Sequence, residues 1–119
     1  MGLFTPAQAR MELARLRPVL EELVAVRADV VELGAALAGG EPTPIGGLPE
    51  WKAAEARLDD LLSQVRQVGL ELKSVAPLLV DFPADLDGVP VYLCWLEGEP
   101  ELTWYHRIDL GFAGRRRLP

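Results

Sequence analysis

The sequence predicts an α+β fold: a long antiparallel helical hairpin packed with a small C-terminal antiparallel β-meander. Two observations predict it. Through the first half of the chain, apolar residues recur at alternating spacings of three and four, which is typical of helices that bury one face. In the second half, apolar and polar residues alternate, which is typical of half-buried strands. The 119 residues are short enough for one domain spanning 1–119.

The first helix is predicted over 5–37. Thr5 can cap it, Pro6 suits its first position, and Gln8 can complete a capping box. Its apolar stripe consists of Leu16, Val19, Leu23, Val26, Val30, Leu33 and Leu37. Such a stripe packs against another helix, as in a coiled coil. A second row consists of Leu13, Leu20, Val24 and Val31. This row needs a further surface, which is either the sheet or a second subunit.

A loop over 38–49, rich in glycine and proline, separates this helix from a second one predicted over 50–68. The second apolar stripe consists of Trp51, Ala54, Leu58, Leu61, Val65 and Val68. The sequence allows two C-terminal ends for this second helix. The spacing continues to Leu79, whereas Gly69 is a natural stop and the residues after it alternate as in a strand. Pro77 also disfavours a longer helix, so we place the stop at Gly69.

The sheet is predicted over 70–108, with a tail over 109–119. Its clearest strands are "LLVDF" (78–82), "VPVYLCWL" (89–96) and "LTWYHRI" (102–108), and Asp87-Gly88 supplies a turn. Alternation puts Trp95 on one face of its strand and Cys94 on the other. We expect His106 on the apolar face turned to the helices, together with Trp95. Cys94 would then point away from His106.

Candidate site residues are few. A single histidine on an apolar face is typical of a hydrogen-bonded core residue. No metal-ligand spacing accompanies it, so His106 and Asp81 are only weak candidates for a metal site. The ligand-binding candidates near the predicted sheet are Trp95, Glu99, His106 and Arg115. We predict no catalytic residues and no cofactor.

Charge and composition exclude some function classes. A net charge of −6 and a pI near 4.7 disfavour binding to nucleic acid or to an anionic membrane surface, in spite of the run Arg115–Arg117. Cys94 is the only cysteine, so no intrachain disulfide is expected. Neither a signal-peptide layout nor a membrane span is apparent, which predicts a cytoplasmic protein.

Several segments together resemble a bacterial family of small proteins catalogued as domain of unknown function 2203. They are "GLELK" (69–73), "LVDFPADLDG" (79–88), "YLCW" (92–95), "GE" (98–99), His106, "GFAGRR" (111–116) and, more weakly, "FTPAQA" (4–9). The resemblance implies a bacterial cytoplasmic protein with a helical hairpin and a compact C-terminal part, and it supplies no reaction. Members commonly carry an acidic residue directly after the histidine. This chain has Arg107 there, which lowers the expectation of a site built on that pair.

Two hypotheses follow from these features. The leading one is a non-enzymatic interaction or scaffold protein that self-associates as a homodimer through its hairpin, because an apolar row is left over on a short chain. The alternative is a small-ligand or metal-binding protein, or a metal-dependent enzyme, with a site at the C-terminal sheet around His106.

Overall fold

A computed structural model describes residues 3–41 and 43–119 and has the predicted α+β class. The helices are α1 (Pro6–Gly39) and α2 (Leu48–Arg66). The strands are β1 (Glu71–Val75), β2 (Leu78–Leu86), β3 (Val89–Leu96), β4 (Trp104–Arg107) and β5 (Arg116–Arg117), with a 3-10 turn at Phe112–Gly114. Contacts divide the chain, predicted as one domain, into two compact units. The hairpin unit is Leu16–Val65, and the sheet unit is Arg66–Pro119 with the N-terminal residues up to Arg15.

The first helix begins at the predicted capping box. The amide of Gln8 donates to Thr5 Oγ1 at 3.1 Å, and the amide of Thr5 donates to Gln8 Oε1 at 3.0 Å. These two bonds satisfy backbone donors that the helix itself leaves without partners. The helix runs through Pro18 and ends at Gly39, two residues beyond its predicted end.

Within the hairpin unit, α1 and α2 meet through a small residue and an ion pair. A Cβ atom at Gly34 would lie 3.2 Å from the indole nitrogen of Trp51, so glycine permits this close approach. Arg57 on α2 donates two hydrogen bonds of 2.7 Å to Glu22 on α1. Within residues 3–41 and 43–119, neither helix is long and apolar enough to cross a lipid bilayer.

The second helix ends at Arg66, and the alternative that continues it to Leu79 is wrong. The amide of Gly69 donates to the carbonyl of Arg66, and Gly69 has a φ of 99°. Only glycine adopts this left-handed backbone without strain, which explains the stop. The alternating residues that follow form β1.

The sheet is antiparallel and its strand order follows the chain, β1-β2-β3-β4-β5. β3 has its predicted bounds, whereas β2 is longer and β4 shorter than predicted. Asp87 and Gly88 connect β2 to β3 with φ values of 52° and 82°, as a type I′ hairpin turn requires. β5 lies within the predicted tail.

Both faces of the central strands carry buried residues. One face carries the apolar core of the sheet unit, with Phe4 edge-on to Phe82 at a ring distance of 5.2 Å. Its buried residues from β2 and β3 are Leu78, Val80, Phe82, Ala84, Val91, Leu93 and Trp95. The other face buries Cys94 and the polar residues Asp81 and His106. The expectation that His106 shares a face with Trp95 is therefore wrong, because the register pairs His106 with Tyr92.

Candidate metal centre

Three neighbouring strands bring three metal-binding side chains together. β2 supplies Asp81, β3 supplies Cys94 and β4 supplies His106. Asp81 is the direct cross-strand partner of Cys94, and His106 is the partner of Tyr92, which lies two residues from Cys94 on the same face of β3. One ligand atom from each residue lies within 4.8 Å of the others. We call these three residues the three-strand cluster.

The imidazole of His106 is fixed from both sides. Its Nδ1 lies 2.9 Å from the backbone carbonyl of Arg107, and its Nε2 lies 3.2 Å from Oδ2 of Asp81. A carbonyl only accepts, so Nδ1 carries a hydrogen. Nε2 and the carboxylate oxygen are then both acceptors, and their contact is favourable only when a proton or a metal cation lies between them.

The cluster also contains a polar atom without a partner. Among residues 3–41 and 43–119, nothing donates a hydrogen bond to Oδ1 of Asp81, although its side chain is buried. Asp81, Cys94 and His106 are only 2%, 0% and 3% exposed. Leaving a buried carboxylate oxygen unsatisfied costs about 1–3 kcal/mol or more, which a function for this group would explain.

The thiol of Cys94 is held in its neutral form. Burial first, and then the negative charge of Asp81, raise the pKa of Cys94 to about 12. A neutral thiol is a poor nucleophile, so this environment does not suit a cysteine that attacks a substrate directly. A bound metal cation reverses the balance, because coordination deprotonates a thiol.

A partly exposed tyrosine contacts the cluster from one side. The ring of Tyr92 lies 5.6 Å from that of His106, and its hydroxyl donates to Glu71. Lys73 pairs with Glu71 at 3.3 Å and places its Nζ 4.6 Å from the centre of the Tyr92 ring. We call Glu71, Lys73 and Tyr92 the tyrosine cover.

Two other predicted ligand-binding residues, Glu99 and Arg115, lie on the opposite side. Nη2 of Arg115 donates to both carboxylate oxygens of Glu99, at 2.6 and 2.8 Å, and contacts the carbonyl oxygen of Cys94 at 3.3 Å. The guanidinium group lies 5.1 Å from the ring of Trp104 and 4.7 Å from that of Phe112. We call Glu99, Trp104, Phe112 and Arg115 the arginine clamp.

The predicted site residues therefore divide into two groups. His106 and Asp81 belong to the three-strand cluster, whereas Glu99 and Arg115 belong to the clamp. Trp95 points to the core and donates from Nε1 to the carbonyl of Glu99 at 2.8 Å. An Arg115 already paired with a carboxylate is better suited to holding the C-terminal segment than to receiving an anion.

One expectation about this site is corrected. Cys94 does not point away from His106, since both lie on the face opposite Trp95. The side chain of Arg107 is exposed and pairs with Asp109, so it lies outside the cluster, and only its backbone carbonyl contacts His106. Within the cluster the carboxylate comes from Asp81.

Comparison with known proteins identifies a family and nothing narrower. The family model described as "Uncharacterized conserved protein (DUF2203)" matches residues 2–118. No curated protein and no solved structure matches the chain. The chain belongs to this family of uncharacterised conserved proteins, as its resemblance predicted.

Proposed function

We propose that this protein binds a divalent transition-metal ion, with zinc as the leading candidate, through Asp81, Cys94 and His106. One observation carries the proposal: three buried ligand atoms from adjacent strands converge within 4.8 Å. The histidine is also oriented as a metal ligand commonly is, with its second ring nitrogen bonded to a backbone carbonyl.

The chemistry of the three groups matches this class of ion. A thiolate, an imidazole and a carboxylate form a mixed set that zinc accepts, whereas calcium and magnesium prefer oxygen alone. The carboxylate and the thiolate together neutralise a doubly charged cation. Such neutrality suits a buried site, where a net charge is costly. Zinc bonds of about 2.0–2.3 Å place ligand atoms roughly 3.5 Å apart. The 3.2 Å between His106 Nε2 and Asp81 Oδ2 is close to that spacing.

Three protein ligands favour an active rather than a purely structural metal site. Structural zinc sites usually have four protein ligands, whereas catalytic ones keep a position for water or a substrate. Bound in this way, the ion would supply Lewis acidity or an activated water. Oδ1 of Asp81 would be available as a hydrogen-bond acceptor beside it. A cysteine that must stay reduced also supports a cytoplasmic location.

Metal titration of the chelator-treated protein tests the proposal. We expect Zn²⁺ or Co²⁺ to bind at a single site per chain in native mass spectrometry. The Co²⁺ form should show a near-ultraviolet sulfur-to-cobalt charge-transfer band, which requires the Cys94 thiolate. Cys94→Ser should abolish the band, and His106→Gln and Asp81→Asn should weaken metal binding by at least about tenfold.

Asp109→Asn provides a matched control, because Asp109 is an exposed carboxylate just after β4, the strand that carries His106. It should bind metal as the wild type does. Circular dichroism of each variant separates a lost ligand from a lost fold. The proposal is wrong if the wild type takes up no metal, or if folded Cys94→Ser and His106→Gln bind as tightly as the wild type.

Self-association through the hairpin is a second proposal, and exposed apolar residues of the hairpin unit support it. Val31 is 67% exposed, and Leu37, Ile45 and Leu48 are 41–52% exposed. Leu13 and Leu20, from the same predicted row as Val31, are instead buried within the chain, so that row offers less surface than expected. Sedimentation equilibrium should show a dimer that Val31→Lys weakens. A monomer at high micromolar concentration would contradict the proposal.

A further inference from the structure

The two sides of the three-strand cluster differ in how firmly they are closed. On one side, the Arg115–Glu99 pair of the arginine clamp is only 13% and 21% exposed. On the other, Lys73 and Glu71 of the tyrosine cover are 39% and 49% exposed. Water can replace the bonds of the exposed pair at little cost, whereas breaking a largely buried ion pair is expensive. The cover is therefore the side that opens more readily.

Tyr92 is the part of the cover that contacts the cluster. It is the direct cross-strand partner of His106, and it is two residues from Cys94 on the same face of β3. Its hydroxyl reaches to Glu71 on β1, which is itself the cross-strand partner of Asp81. The tyrosine therefore contacts His106 with its ring and the partner of Asp81 with its hydroxyl.

We propose that Tyr92 is the gate of the metal site, and that its hydrogen bond to Glu71 is the latch that keeps the gate closed. This inference rests on the proposed metal site and concerns how an ion or a small ligand reaches it. Rotation of the Tyr92 side chain uncovers His106 and Asp81 while the strands and the arginine clamp stay in place. Tyr92 is only half-buried and its hydroxyl is held by Glu71, so this hydrogen bond sets how often the gate opens.

A gate controls the rates of entry and exit and leaves the affinity almost unchanged. We expect Tyr92→Ala to accelerate both Zn²⁺ binding and Zn²⁺ release to an excess of a chromogenic chelator, each by about tenfold or more. Tyr92→Phe and Glu71→Gln keep the ring and weaken the latch. Each should accelerate both Zn²⁺ binding and Zn²⁺ release, by less than Tyr92→Ala does. Stopped-flow absorbance measures both rates, and their ratio gives the dissociation constant.

Tyr105→Ala is the matched control, because Tyr105 is the second tyrosine of the chain and lies on the opposite face of β4. It should leave both rates unchanged. If Tyr92→Ala binds Zn²⁺ with wild-type rates, there is no gate at this residue. If it accelerates release alone, Tyr92 supports the bound ion rather than gating it, and the inference is again wrong. Failure of the wild type to bind Zn²⁺ would instead overturn the proposed metal site.

Discussion

Among individual residues, Arg115 joins the C-terminal segment to the sheet. It donates to Glu99 and to the Cys94 carbonyl, and it lies against the rings of Trp104 and Phe112. Removing one partner of a buried ion pair costs about 3–5 kcal/mol, and this pair is partly exposed. We expect Arg115→Ala to lower the free energy of unfolding by about 2–3 kcal/mol, measured by urea denaturation of the metal-free protein.

The neighbouring Arg116 provides the control for this prediction, because it is exposed. Arg116→Ala should change the free energy of unfolding by less than about 0.5 kcal/mol. Arg115→Lys keeps the charge and loses the planar stacking, so an intermediate loss is expected. Equal effects of the two alanine variants would show that the clamp adds nothing beyond a surface charge.

Part of the three-strand cluster follows from the sequence, and part does not. Asp87-Gly88 is a strong signal for a two-residue turn, and such a turn fixes the register of its two strands. That register alone places Asp81 opposite Cys94. The position of His106 depends on the irregular connection between β3 and β4, for which the sequence gives no register. The sequence therefore predicts the wrong face for His106, because its apolar neighbours Leu102 and Ile108 lie outside β4 and do not belong to the alternation of that strand.

Among the elements, the helical hairpin contains an ion pair whose pH dependence can be measured. The hydrogen bonds from Arg57 hold the pKa of Glu22 below its ordinary value of 4.5. A depressed carboxyl pKa contributes stability above the unfolded-state value, and that contribution is lost as the pH falls through the folded-state value. We expect the Glu22 carboxyl resonance to titrate below pH 4.5 in wild type, and near 4.5 in Arg57→Ala, by NMR.

Two features keep this test specific. Both side chains are substantially exposed, 45% for Arg57 and 44% for Glu22, so added salt should move the Glu22 titration towards its ordinary value. Arg15→Ala, which removes an exposed arginine paired with Glu12 instead, should leave Glu22 unchanged. A Glu22 titration that is the same in wild type and Arg57→Ala would mean that the pair does not persist in solution.

The elements differ in how strongly the sequence indicates them. The helices and β3 have long periodic patterns, and the capping box at Thr5 fixes where α1 begins. β5 consists of two arginines, which show no alternation, so no sequence pattern could separate it from a tail. It forms because Tyr105 and Trp104 on β4 pair with it, which is a tertiary cause.

For the molecule as a whole, the division into two compact units places the proposed functions in different parts of the chain. All the residues of the three-strand cluster, the tyrosine cover and the arginine clamp belong to the sheet unit. The exposed apolar residues that support self-association belong to the hairpin unit. Metal binding and self-association can therefore be removed separately, by Cys94→Ser and by Val31→Lys.

The same division predicts where a bound metal stabilises the chain. A ligand that binds only the folded state stabilises it by about 2.7 kcal/mol at a concentration 100 times its dissociation constant. Contacts cluster within each unit, so we expect local opening to occur unit by unit. Saturating Zn²⁺ should slow amide hydrogen exchange in β2, β3 and β4 by up to about 100-fold and leave most of 16–65 unchanged.

Cys94→Ser with the same Zn²⁺ concentration controls for non-specific binding. Equal slowing of both units would show that they open together, and slowing confined to 16–65 would place the ion outside the three-strand cluster.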